Sequence, residues 1–237
     1  MDKTFNRILV LLLIALLLFA LSVFLRTGYK EQKHKSEITR VTVELLSIRK
    51  QLNAGQKELA EQDMRLLRDY VGTLDSPQVL AAVLPLMADT LDQMGKKEEA
   101  RDALNTSIKL AEVAVLVPLE RARLYCFLAN TACVLQNHEL CRQMILKAQD
   151  ALPGLADDAE KADLCFYIAQ SWSMLDDLDK VRQYRQMLTE FTEKVSDPKR
   201  REQLQHQDAT LTELVREMET PVVPDSSENE NRETSPK

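Results

Sequence analysis

The chain has little of the two residues that interrupt regular backbone: five glycines and eight prolines in 237 residues. With so few glycines a glycine-rich loop around phosphate is not expected, and neither GxGxxG nor a P-loop is present. No stretch shows the alternating, β-branched pattern of a strand. There is no excess of positive charge: 31 basic residues stand against 37 acidic ones, a formal net charge of −6, which argues against a general nucleic-acid binder. HExxH and GxSxG are also missing, and the three histidines (His34, His138, His206) share no segment. The four cysteines, Cys126, Cys133, Cys141 and Cys165, contain no CxxC, so a zinc site and a disulfide scaffold are both disfavoured. No cofactor and no catalytic residue is expected, and the chain is read as a non-enzyme.

What remains is rich in Leu, Ala, Glu, Gln, Lys and Arg, residues that favour helix, with 45% hydrophobic and 29% charged residues overall. The expected fold class is all-α.

One long apolar run stands out. Residues 8–25, "ILVLLLIALLLFALSVFL", contain no charge, Gly or Pro. As a helix they span about 27 Å, close to the thickness of a bilayer's hydrocarbon core. A signal peptide cleaved after the "ALS" of 20–22 is the alternative. The run continues through Val23, Phe24 and Leu25, and no nearby cysteine offers a lipid attachment point, so an uncleaved single-pass anchor is the expectation. Lys3 and Arg7 precede it; Arg26, Lys30, Lys33 and Lys35 follow. That count nominally holds the following chain in the cytoplasm. A short basic tail before a first apolar helix is instead the form of a signal anchor, and the reading favours an extracytoplasmic (periplasmic) position for the remainder.

Beyond the anchor a spacing recurs. Gly55 is followed at offsets of 5, 9 and 12 by Ala60, Met64 and Leu67; Gly95 by Ala100, Leu104 and Ser107. Gln136 is followed by Cys141, Ile145 and Ala148, and Asp176 by Val181, Arg185 and Leu188. The sets begin 40, 41 and 40 residues apart, and seven positions before each lie Ile48, Ala88, Ala129 and Ala169. A period near 40 carrying two amphipathic helices predicts stacked helical hairpins. The glycine closes a first helix in a left-handed conformation. The small residue five on lets the second helix approach closely, and the larger apolar residue one turn later fills the space beside it.

This pattern resembles the tetratricopeptide repeat family. The third unit matches best, "YCFLANTACVLQNHELCRQMILKAQDALP" (125–153), with Leu128-Ala129 and Ala132 in its first helix, Cys141, Ile145 and Ala148 in its second, and Pro153 closing it. Ile48 in unit one, and Val181 and Arg185 in unit four, depart from the family pattern. The resemblance implies a helical-hairpin solenoid of about four units plus a capping helix. The expected division is an N-tail (1–7), anchor (8–25), charged stalk (26–37), repeats (38–196, in units of 38–75, 76–116, 117–155 and 156–196), cap (197–218) and a disordered acidic tail (219–237). Ser76-Pro77, Pro118 and Asp197-Pro198 are helix-start signals at these joints, and Pro85 kinks the first helix of unit two or delays its start.

In the family, first helices line a concave face that holds a partner segment. The resemblance carries that role to Arg49 and Asn53 in unit one, and to Asp89, Asp92 and Gln93 in unit two. In unit three it falls on Arg123, Cys126, Asn130 and Cys133, and in unit four on Asp163, Phe166, Gln170 and Met174. Asn130 matches an asparagine that chaperone-binding members use on a C-terminal carboxylate, but the basic residues completing that clamp are absent. The implied function is a membrane-anchored scaffold, adaptor or assembly factor that binds another protein or peptide and meets the bilayer through residues 8–25. An envelope chaperone-like client holder, secreted if the first segment is cleaved, is the alternative. Cys141 is expected as a small core residue, and an oxidising compartment would allow a pair among the four cysteines to join. The acids of Asp157-Asp158 and Asp176-Asp177 are expected to cap helices rather than to act in catalysis. Homo-oligomerisation is left open.

Overall fold

The computed structural model describes residues 31–220. Among these residues all regular structure is helical and there is no strand, as the all-α expectation requires. The helices are α1 (31–53), α2 (Lys57–Val71), α3 (Pro77–Gln93), α4 (Lys97–Val113), α5 (Pro118–Val134), α6 (His138–Gln149), α7 (Asp158–Ser173), α8 (Leu178–Lys194) and α9 (Pro198–Glu219). A single 3-10 turn, Leu152–Gly154, follows α6. The expected anchor at 8–25, the N-tail and all but the start of the acidic tail lie outside the described residues. Among the described ones no helix is long and apolar enough to cross a membrane. Helix α1 runs unbroken through residue 37, the expected boundary between the stalk and the repeats.

The links between paired helices show what the 40-residue period encodes. Gly55, Gly95, Gln136 and Asp176 have φ of 75°, 77°, 59° and 55°. All four are left-handed, a conformation that non-glycine residues rarely adopt. At three of them the hydrogen bonding is the same. The N–H of Gly55, Gly95 and Asp176 donates to the carbonyl three residues back, at 2.8–3.0 Å, and the next N–H reaches the carbonyl five back, at 2.9–3.3 Å. This double closure satisfies carbonyls that the end of a helix leaves open. The period therefore marks a backbone conformation, which glycine supplies twice and a polar residue twice.

The offsets also have structural counterparts. Ala60, Ala100, Cys141 and Val181 are all fully buried, as are Ala88, Ala129 and Ala169 before the links. Met64, Leu104 and Ile145 fill the next turn. Arg185, in that place on α8, is half-buried and instead forms an ion pair with Asp208 of α9 at 3.1 Å.

The chain divides into two compact bodies. The first comprises α1–α4 and the connection to residue 117, together with residues 134–137; the second comprises residues 118–133 and, among the described residues, 138–220. In the first body α3 and α4 pack along each other around Val79, Val83, Leu91 and Leu104. Ser76 caps α3, its Oγ accepting from the Val79 N–H at 3.4 Å, with Pro77 at the first helical position.

Pro85 neither delays nor ends α3, which continues to Gln93. A proline at 85 has no N–H for the Ala81 carbonyl. The buried Ser107 hydroxyl of α4 donates to that oxygen at 2.7 Å. A residue outside the helix thus replaces the bond that the proline removes.

In the second body α7 packs against α8, and α9 lies on both through Leu204, Leu211 and Val215. Asp157, Asp177 and Asp197 cap α7, α8 and α9, accepting from backbone N–H groups at 2.6, 3.1 and 3.0 Å. Structural capping is the role expected above for Asp157 and Asp177.

Candidate functional site: the faces of the first helices

In the first body Arg49 of α1 is engaged by α3. Its Nη2 lies 2.6 Å from Asp89 Oδ2, its Nε donates to Thr90 Oγ1 at 2.9 Å, and Nη2 also reaches the Leu86 carbonyl at 3.4 Å. Gln93 donates to the other Asp89 oxygen at 3.2 Å. Arg49 and Asp89 therefore bind each other. Asn53 and Gln93 are exposed and Asp92 is half-buried.

The second body holds an ion pair with the same 40-residue separation, two helical turns earlier when counted from the links. Arg123 of α5 pairs with Asp163 of α7. Asp163 is buried, and its charge is further met by Arg200 of α9 at 3.3 Å, while Gln207 of α9 donates to Oδ1 at 3.0 Å. A buried carboxylate is tolerable only when its charge and lone pairs are satisfied in this way. Arg123 also lies over the Tyr167 ring, 5.5 Å from its centroid, and Tyr167 meets Phe166 edge to face at 5.6 Å. The resemblance assigned nothing to Arg200 or Gln207. They lie seven residues apart, on one face of α9, and that spacing was the signal available for them.

Counted from the links, Arg49, Asp89, Asn130 and Gln170 occupy one level, each six residues before its left-handed residue. Arg123 and Asp163 stand two turns earlier. The level filled by an Arg–Asp pair in the first body thus carries two neutral amides in the second. Among the described residues neither amide side chain has a protein partner, and Asn130 Oδ1 is shielded from solvent as well. Four residues to either side of Gln170 lie Phe166, half-buried, and Met174, which is 42% exposed.

Cys126 and Cys133, assigned to the groove by the resemblance, are buried, with only 2% and 7% of their surface exposed. Asp163 is likewise interior. These three do not present free groups to a partner. All four cysteines are unpaired. Burial pushes the Cys126 and Cys165 thiols up to about 12, and it also raises Cys133 and Cys141 above the ordinary thiol value. Cys141 fills the small position, as expected. Among the described residues no group of three or more His, Cys, Asp or Glu is arranged to hold a metal.

No family model matches the chain, and no curated protein matches it. Among solved structures, Ton1535 from Thermococcus onnurineus NA1 is similar over 82% of this chain, with 17% identity and a TM-score of 0.49. The chain spans 58% of the length of Ton1535. BtubC (BKLC) from P. vanneervenii is similar over 78% of this chain and 85% of its own, with 14% identity and a TM-score of 0.44. Likeness at this level assigns neither a family nor an activity.

Proposed function

We propose that this chain is a membrane-anchored interaction scaffold, a tetratricopeptide-like solenoid of four hairpins closed by α9, whose second body holds an extended segment of a partner protein. Residues 8–25 are its single-pass anchor and the repeats lie on the extracytoplasmic side. The anchor raises the local concentration of the repeats against partners in the same membrane.

The observation that carries this reading is the pair of unengaged amides at equivalent positions, Asn130 on α5 and Gln170 on α7. A primary amide carries both a donor and an acceptor, the complement of a peptide main chain; Gln170 offers both, and Asn130, whose Oδ1 is enclosed, offers its N–H donors. Phe166 and Met174 flank Gln170 and supply apolar contacts for side chains on either side of the bound peptide unit. In the first body the same level is closed by the Arg49–Asp89 pair, so the reading places binding in the second body.

The test is site-specific photo-crosslinking in intact cells, with the probe at Phe166 or Gln170 and a control at Glu190, on the exposed side of α8. A discrete adduct from the first two and none from the control is the expected result. Replacing both Asn130 and Gln170 by Ala removes about two hydrogen bonds of roughly 1 kcal/mol each and weakens the adduct by about thirtyfold. Equal adducts from all three sites, or none from any, would refute the groove. Topology is read separately, from a cysteine at Ser227 in a background lacking the native cysteines. Labelling by an impermeant maleimide without lysis supports the extracytoplasmic position, and labelling only after lysis reverses it.

A further inference from the structure

We infer that Cys133 and Cys141 form a redox-active dithiol that a low-molecular-weight disulfide converts to an intramolecular disulfide, locking the α5–α6 hairpin. The observation is geometric. Cys133 sits one residue before the end of α5 and Cys141 on the first turn of α6, and their Sγ atoms lie 2.7 Å apart. The remaining two thiols do not share this arrangement: Cys126 and Cys165 are free and buried elsewhere in the same body.

The hairpin repeat sharpens the point. Cys133 stands three residues before its link and Cys141 five after it. In the other hairpins those two positions hold Leu52 and Ala60, Asp92 and Ala100, and Ser173 and Val181. Only in this hairpin do both positions carry sulfur, and here the two side chains touch, a pair of groups able to bond.

The order of reaction follows from burial. Cys141 is fully enclosed, whereas Cys133 retains 7% exposure and borders the surface, with the exposed His138 ring nitrogen Nδ1 at 3.9 Å and the Met174 carbonyl oxygen at 3.5 Å. Cys133 is therefore the entry point. Once its proton has passed to solvent, Cys133 attacks one sulfur of glutathione disulfide as a thiolate, and that S–S bond breaks; one glutathione leaves as a thiolate and takes up a proton. The Cys141 thiolate then attacks the Cys133 sulfur of the mixed disulfide and expels the second glutathione. Two cysteine thiols lose two electrons and two protons, and one glutathione disulfide becomes two glutathiones. The adjacency of Cys141 makes the second step intramolecular, so the mixed disulfide does not accumulate.

The inference is tested on the purified full-length chain equilibrated with mixtures of reduced and oxidised glutathione, quenched with acid, alkylated and digested with chymotrypsin. Cleavage after Phe127 and after Leu135 separates Cys126, Cys133 and Cys141 onto different peptides. The expected result is a Cys133–Cys141 linked peptide, two hydrogens lighter than its reduced parts, as the predominant disulfide, with Cys126 and Cys165 alkylated only after unfolding. Cys141→Ser is expected to trap glutathione on Cys133 at ratios where the parent chain shows little mixed disulfide, at least a tenfold difference. A stable glutathione adduct on Cys133 in the parent chain, linkage distributed equally to Cys126, or four thiols that stay reduced at the most oxidising ratio would each overturn it.

Discussion

Ser107 and Pro85 show how two residues that look out of place account for one another. A serine in the buried seam of α4, at a repeat position filled by Leu67, Ala148 and Leu188 elsewhere, is a poor core residue taken alone. A proline in the middle of α3 is equally unfavourable taken alone. The Ser107 hydroxyl donates to the carbonyl that Pro85 leaves without a partner. Ser107→Ala is therefore expected to cost about 1–3 kcal/mol, the penalty of an unsatisfied buried carbonyl. In a Pro85→Ala background the helix regains its own N–H for that oxygen, and the same serine substitution is expected to cost about 1 kcal/mol less. Urea unfolding of the four members of this cycle measures the coupling. Strict additivity would contradict the account.

Among the elements, α9 does more than pack on α7 and α8. Through Arg200 and Gln207 it supplies two of the three side chains that satisfy Asp163, and Arg123 of α5 supplies the third, so one buried carboxylate ties α5, α7 and α9 together. Asp163→Ala is expected to lower stability by about 2 kcal/mol, measured from the urea midpoint. That is less than the ~3–5 kcal/mol typical of breaking a fully buried pair, because both arginines are partly exposed and regain water. A change below about 0.5 kcal/mol would show that the cluster is not an energetic tie.

These contacts also mark how far local pattern reaches. The helix starts at Ser76, Pro118 and Asp197 were legible because capping is settled within a few residues. The involvement of α9 with Asp163 was not, since it joins residues 37 and 44 positions apart that share no repeat register. For the same reason Arg49, Asp89, Arg123 and Asp163 were legible as first-helix residues but not as one another's partners. A resemblance specifies which face a residue occupies, and it leaves open whether a neighbour has already used its charge. Cys126 and Cys133 illustrate the converse, being on the assigned helix yet turned into the core.

At the scale of the whole molecule, the described residues hold four helix pairs joined at equivalent left-handed links, and what has drifted least among them is the backbone at those links. Period and offset located Gln136 and Asp176 as equivalents of the two glycines, although residue type alone marks neither as left-handed. The division into two bodies was not legible, because the period runs through residues 117 and 118 without a break in spacing. The most direct measurement of the central claim is the equilibrium stability of two substitutions with opposite expected signs. A Cβ at Gly95 meets no atom within 4 Å, so Gly95→Ala probes the backbone alone; it is expected to destabilise the chain by about 1 kcal/mol. Gln136→Gly relieves roughly 1–2 kcal/mol of left-handed strain against the ~0.5–1 kcal/mol entropic cost of a glycine, and is expected to stabilise by about 0.5–1 kcal/mol. A loss at Gly95 with a gain at Gln136 is the predicted result. A loss at both would contradict the claim that the repeat encodes one shared link conformation.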